Sequence, residues 1–426
     1  MKFAINPAQF LTLLRPAIEV ATKDVDRDCF TEDYLTLQAN ESSLQVKANG
    51  GRASLVVEIP AKQICTLSYR CYQPGTATVG AIHLMWQMRS FGKQSLVMVE
   101  IVDGLLQLSH EGPSRSCSTL PLVRHPVDLP NTFSKHCQTA RVDRKAFLAG
   151  LRNLRNMTSR GGVLAVRAGQ NELQLAAGAA EQFAILQIVQ KNIVQEGKSI
   201  NFLLPKNYIE HIITTLARAE CPSVSVQIGH ATLKSPTAKH ICIVCGSFKL
   251  MLSSDMPDSP YPEWDDILNH PYEYQICSNL QDWHEPLLGI RAASQREPQD
   301  YSMPIVQVTA DVRRGYWHLS IDHNGLGSER SVPFCLGTNQ SPASVSHGHS
   351  INFTCKAQYL LELDEYGDPS DTVIMAVDGT STENNASPGA GRFLCITYPP
   401  IAQDTFELER RRFIVIRPHT RSMQHD

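Results

Sequence analysis

The sequence predicts an α+β protein assembled from three tandem copies of one unit. Three observations carry this. An apolar segment anchored on an aromatic residue recurs at Phe10, Phe147 and Trp283, which stand 137 and 136 residues apart. Each copy then holds two segments with helical patterning among a larger number of period-2 runs, the balance expected when helices cover one face of an antiparallel sheet. The copies also end alike: Cys117-Ser-Thr-Leu-Pro121 leads to His125-Pro126, and Leu252-Ser-Ser-Asp255 leads to Tyr261-Pro262. With 426 residues, 42% of them apolar and 19% charged, there is chain enough for several cores and no compositional case for extended disorder.

The first helix of each copy is expected at Ile5–Leu14, Val142–Leu151 and Ser278–Leu287. The second is expected at Val79–Phe91, Pro205–Ala219 and Cys355–Tyr366. Alternating strands follow each second helix, at Ser95–Ile101, Ser223–Ile228 and Thr372–Val377, and further period-2 runs lie at Leu35–Gln38, Glu172–Leu175 and Trp317–Ile321. Polar, proline-flanked stretches set the expected boundaries at 1–135, 136–270 and 271–400. The third copy is read as closing at Phe393–Pro399, which leaves 401–426 as a C-terminal extension: a charged run into one short strand, Phe413-Ile-Val-Ile416. The Ser/Thr/Asn/Gly-rich stretch from Gly379 to Gly391 reads as a mobile loop.

Charge is distributed unevenly. The net is −3 overall, but it is +1 over 1–136, +3 over 137–270 and −7 over 271–426. Basic residues concentrate on the candidate helices of the first two copies: Arg15, Lys23, Arg89, Lys93, Arg144, Lys145, Arg152, Arg155, Lys206 and Arg218. An acidic protein with a locally basic lining would hold phosphates loosely without reading bases. In the third copy's second helix, Glu362, Asp364 and Glu365 around Lys356 break that pattern.

Other chemistry finds little support. Cys242-Ile-Val-Cys245 has C-x-x-C spacing but lies in an apolar strand with no second pair, which favours core cysteines over zinc or redox use. His347-Gly-His349 lacks a carboxylate at ligand spacing. Neither a phosphate-cradling loop nor a nucleophile elbow occurs, so no catalytic residue, cofactor or metal ligand is assigned. Asn6, Pro7, Gln9 and Arg15 interrupt the first apolar run before a signal core can form, no run approaches membrane-spanning length, and the twelve cysteines are scattered singly. These features fit a cytoplasmic protein with no membrane contact.

Three tandem modules, the opening Met1-Lys-Phe with its apolar helix, and the unit ends Ser118-Thr-Leu-Pro121 and Tyr261-Pro-Glu-Trp-Asp-Asp-Ile-Leu268 together resemble the bacterial sliding clamp family, the beta subunit of DNA polymerase III. The resemblance covers about residues 1–400. It implies a non-catalytic processivity factor: a head-to-tail homodimer of six modules closed into a ring, with helices lining a hole around duplex DNA and sheets outside. Arg15, Lys23, Arg89, Lys93, Arg152, Arg155 and Lys206 would then face DNA without sequence preference. The resemblance also implies a pocket where DNA polymerase, the clamp loader and repair proteins dock short linear motifs. Its wall would come from Gly178, Gln182, Phe183, Pro262, Asp266, Ile267, Ile396, Tyr398 and Pro399, apolar and proline-flanked positions suited to anchoring a side chain. Two departures stand out: Ala179-Ala-Glu-Gln182 replaces the family's Asp-Gly-His-Arg-like turn, and 26 residues follow Pro400. The alternative readings are a diverged clamp-fold interaction protein that does not encircle DNA and a β-rich enzyme whose site the sequence hides.

Overall fold

A computed structural model of the chain describes residues 1–22, 33–50, 53–61, 69–92, 96–110, 116–124, 138–179, 182–194, 200–230, 239–254, 264–272, 274–294, 305–311, 314–323, 326–336, 351–361, 363, 368, 370–377, 394–399, 401–402 and 409–416. They fall into two units, one of residues 1–152, 168–170 and 192–258, the other of 153–167, 171–191 and 259–426. The helices are α1 (Pro7–Thr22), α2 (Ala81–Ser90), α3 (Arg144–Gly161), α4 (Lys206–Arg218), α5 (Trp264–Leu268), α6 (Leu280–Ser294) and α7 (Ala357–Leu361).

Each long first helix follows a strand directly. Lys2–Ile5 runs into α1, Gln138–Asp143 into α3 and Tyr274–Asn279 into α6, so the residues expected to open these helices are strand. The aromatic anchors Phe10, Phe147 and Trp283 are all buried. In α1, Phe10, Leu14, Ala17, Ile18 and Ala21 form an apolar stripe at helical spacing, and Ala8, Thr12 and Arg15 face water. The second helices lie close to expectation as α2 and α4. In the third copy, α7 is described over Ala357–Leu361, and Cys355 belongs to the preceding strand.

In the first unit an eight-stranded sheet runs in the order 138–143, 223–230, 239–245, 248–254, 53–60, 43–49, 34–39, 75–80. Its middle joins two copies: the last strand of the second, Phe248–Ser254, pairs antiparallel with the fourth strand of the first, Phe248 facing Val57 and Leu252 facing Ala53. A five-stranded sheet runs 69–73, 2–5, 97–102, 105–110, 116–121 and leaves Ser116–Pro121 at its edge. Helix α1 packs against both α2 and α4.

The second unit repeats the device. Its larger sheet runs 163–168, 172–179, 182–189, 409–416, 394–397, 372–377, 274–279, 335–336. The expected appendage is part of this sheet. Glu409–Ile416 is an interior strand, paired over its whole length with Gln182–Val189 on one side and from Phe413 to Ile416 with Leu394–Thr397 on the other. Phe393–Pro399 therefore does not close the third copy; Ile414, Val415 and Ile416, all buried, do. The charged prefix is accommodated because Arg412 lies in the strand and pairs with Asp371 at 3.1 Å. A four-stranded sheet, 326–333, 316–323, 305–311, 351–356, leaves Leu326–Pro333 at its edge. Its core is Trp317, with Phe334, Phe353 and Trp283 at ring-centroid distances of 5.5, 6.3 and 6.4 Å. The indole N–H of Trp283 donates to Ser278 Oγ at 2.9 Å, and that hydroxyl donates to the Pro333 carbonyl at 3.0 Å.

Candidate functional site

The sequence-predicted pocket residues that the structure describes belong to the second unit, at the joint between Gln182–Val189 and Glu409–Ile416. Phe183, Ile267, Ile396, Gln182 and Tyr398 are buried there, Gly178 is buried at the turn before Gln182, and Pro399 is half-exposed; Pro262 lies outside the described residues. Gln182 Nε2 donates to the Tyr359 carbonyl at 3.1 Å, the Tyr398 hydroxyl donates to the Leu363 carbonyl at 3.3 Å, and the Arg412 guanidinium sits 5.3 Å above the Tyr398 ring. Most of the predicted wall is thus a packed floor, its polar atoms already satisfied within the protein. Helix α5, which carries Asp266 and Ile267, is tied down by the Arg167–Asp265 ion pair, and Arg167 also donates to Gln174 at 2.9 Å. The residues that sequence reasoning missed here are Arg412 and Ile414–Ile416. The short apolar run marks a strand but not the strand it pairs with.

Gly178 has a specific structural cause. Its φ is +138°, and a Cβ would lie 2.4 Å from the Gln182 carbonyl oxygen and 2.6 Å from Phe183 Cα. Only glycine lets these two backbones approach so closely. Gly178→Ala is expected to destabilise the second unit on the order of 3 kcal/mol through strain and overpacking; a thermal midpoint unchanged from the parent would refute this reading of the turn.

The predicted DNA-facing residues separate into two groups. Arg89, Lys145, Arg152, Arg155 and Lys206 are exposed, as is Arg15, which pairs with Glu19 at 3.3 Å. Arg144 is structural, donating to the carbonyls of Cys221 and Leu216 at 2.9 Å each. Arg218 donates to the Thr214 carbonyl, and burial, with nearby Arg15 adding to it, holds its pKa below the usual guanidinium value. Lys23 and Lys93 lie outside the described residues, as do His347, His349 and the Gly379–Gly391 loop. Cys242 and Cys245, three residues apart in a strand, project to opposite faces, and both are buried. Among the described residues no group of three or more His, Cys, Asp or Glu could hold a metal ion, and no helix is long and apolar enough to cross a membrane.

Two helix faces carry apolar residues in water. On α2, Trp86 is 61% exposed, with Ile82 beside it and the Arg89 guanidinium 5.7 Å from its ring; on α6, Leu288 is 46% exposed. Leu288 borders an open groove of about 1420 Å³ between α6 and the edge strand Leu326–Pro333, where Asp282, Glu285 and Asp368 supply negative charge. The signal for Trp86 was available in the sequence, since it falls off the Ala81, Leu84, Met88 stripe that packs inward.

By sequence, neither a family model nor a curated protein matches the chain. By structure, it is similar over nearly its whole length to solved bacterial clamps. The DNA polymerase sliding clamp from Bacillus subtilis superposes with a TM-score of 0.69 at 14% identity, covering 99% of each chain. That from Pseudomonas aeruginosa gives 0.68 at 15% identity, covering 99% of this chain and 100% of that one. The beta subunit of DNA polymerase III from Thermotoga maritima gives 0.66 at 10% identity, covering 98% and 99%. The fold is that of the sliding clamps.

Proposed function

We propose that this chain is a clamp-type processivity factor that closes around duplex DNA as a head-to-tail homodimer of six modules and carries out no catalysis. One observation supports this most directly. Within the chain the same joint is made twice, the last strand of one copy pairing with the fourth strand of the copy before it: 248–254 with 53–60, and 409–416 with 182–189. The counterpart strands that remain are the edges Ser116–Pro121 and Leu326–Pro333. A second copy completes both, and an isologous pair of such joints closes the assembly.

The helices support the same pairing. At the joint within the first unit, α1 of the first copy packs on α4 of the second. The corresponding elements at the intermolecular joint are α6 and the partner's α2, which are the helices presenting Leu288, Trp86 and Ile82 to water. The acidic groove beside Leu288 complements Arg89 in the last turn of α2. On this reading the third module extends to Ile416. Arg15, Lys145, Arg152, Arg155 and Lys206 would supply a phosphate-facing lining that grips weakly and reads no bases, so that the ring works by topology and makes polymerase rebinding effectively intramolecular.

Retention on circular DNA tests this. Loaded by its cognate clamp loader, the protein is expected to persist on nicked circles and to leave within minutes once they are linearised, because a ring runs off an end. Equal retention on both forms would show that it grips DNA; retention on neither would favour the non-encircling interaction protein, to which the −7 charge of residues 271–426 lends support. Partner peptides are placed along the second-unit joint, over the floor of Phe183, Ile396 and Tyr398 and against Pro399. Substituting half-exposed Pro399 by Glu is expected to weaken a linear-motif peptide by about 1 to 3 kcal/mol without changing the thermal midpoint; unchanged affinity in calorimetry would move the docking surface elsewhere.

A further inference from the structure

The first unit holds a cavity of about 370 Å³ lined by Phe10 and Leu13 of α1, Pro60, Phe248, Arg218 and Cys221. Cys221, partly exposed, stands in its wall just after α4. Its neighbour in space is Cys245, 24 positions on and buried at the end of the strand Lys239–Cys245. The Cys245 thiol is within hydrogen-bonding reach of the Cys221 thiol. It also donates to the Ser223 carbonyl at 3.5 Å and lies 3.9 Å from the Cys221 carbonyl. The turn holds Cys221 tightly: a Cβ on Gly246, the residue after Cys245, would lie 3.3 Å from Cys221 Cβ. Arg144 fixes the Cys221 carbonyl from the other side.

We infer that Cys221 and Cys245 form a peroxide-oxidisable thiol pair, with Cys221 the attacking thiol and Cys245 the resolving one. The environment suits the division of labour. Backbone N–H groups of Ser223, foremost, and Gly246 point at the Cys221 sulfur, and Arg141 is nearby; together they hold the thiol below the ordinary cysteine range despite some burial. Burial, with the neighbouring Cys221 contributing, pushes Cys245 up to about 11, so it waits as a neutral thiol. The charged groups around the pair are Arg141, Arg144, Arg218 and Glu220, a net cationic set that favours the Cys221 thiolate.

The chemistry balances with a hydroperoxide as oxidant. The Cys221 thiolate attacks one peroxide oxygen, an S–O bond forms, the O–O bond breaks, and the departing hydroxide or alkoxide takes a proton. The sulfur is oxidised to the sulfenic acid while the peroxide is reduced by two electrons. The Cys245 sulfur then attacks Cys221, loses its proton and displaces hydroxide as water, leaving one disulfide. Cys221 follows α4 and Cys245 ends a strand, so neither belongs to the residues assigned to DNA, partner peptides or the second copy, and the oxidation test is read independently of the clamp reading.

The test uses the reduced full-length chain, one equivalent of hydrogen peroxide, alkylation of the remaining thiols and mass mapping without reductant. A peptide cross-linked through Cys221 and Cys245 is expected as the main product, with Cys221 consumed about tenfold faster than the exposed Cys117 and Cys335. In Cys245→Ser, Cys221 is expected to stop at a sulfenic acid that dimedone traps. Consumption of Cys221 no faster than Cys117 and Cys335 would overturn the proposal, as would oxidation of Cys221 in the parent chain without linkage to Cys245. The parent protein alone suffices to decide, so a variant that misfolds does not protect the idea.

Discussion

Truncation after Pro400 is expected to abolish cooperative folding of the second unit while leaving the first unit folded. The strand it removes is the interior one between Gln182–Val189 and Leu394–Thr397, and its loss splits the sheet and leaves one edge of each of those strands unpaired. Ile414, Val415 and Ile416 are buried to within 1%. Removing three such side chains forfeits about 1.5 to 3 kcal/mol each, and Tyr398 loses both its backbone bond to the Arg412 carbonyl and the guanidinium over its ring. The sum rivals the entire stability of a domain, about 5 to 15 kcal/mol. Calorimetry should show one of the chain's transitions vanish; a truncated chain that melts like the parent would mean that residues 409–416 are indeed an appendage.

The second large effect is on mass. The parent is expected to scatter light as twice its 47.3 kDa chain. Trp86→Asp or Leu288→Asp should reduce it to a single chain, because each puts a carboxylate where the proposed joint buries an apolar anchor. Loss of such an anchor costs about 2 to 4 kcal/mol, which weakens the dimer about 30- to 700-fold. Both side chains are exposed in the single chain, so neither substitution should lower its thermal midpoint. A dimer that survives both changes would exclude α2 and α6 from the interface. A strict monomer in the parent would remove the closed ring and leave the fold as it is.

The parts of this architecture legible in the sequence are those governed by local periodicity. The anchors Phe10, Phe147 and Trp283, the helices α2 and α4, and the strand Thr372–Val377 follow from apolar spacing alone. The end of the third copy was not legible, because the short apolar run Phe413–Ile416 marks a strand but does not show that its neighbour is Gln182–Val189, over 200 residues away. The unit-end pattern of Pro126 and Pro262 also points to Tyr398-Pro399, ahead of the strand Glu409–Ile416. The same error shaped the candidate pocket. Ile396 and Tyr398, expected as surface wall, are buried, Ile396 beside Ile414 in the sheet and Tyr398 under the Arg412 guanidinium with its hydroxyl on the Leu363 carbonyl. Burial of that kind depends on tertiary partners that local periodicity does not show. Among the basic residues, only side-chain contacts distinguish Arg144, committed to two carbonyls, from exposed Arg152 on the same helix.

The interior position of Glu409–Ile416 also constrains how the protein is made. The edge of Gln182–Val189 emerges from the ribosome about 220 residues before its partner. At about 5 to 20 residues per second, it waits about 10 to 45 s with an apolar face and a row of backbone donors uncovered. An edge of that composition is a template for pairing with any nearby chain. Two nascent copies on one message that exchange Glu409–Ile416 would give swapped dimers. For this chain, residues 409–416 decide whether the preceding 200 fold alone or with a neighbour, which makes yield on expression sensitive to translation speed and to holding chaperones.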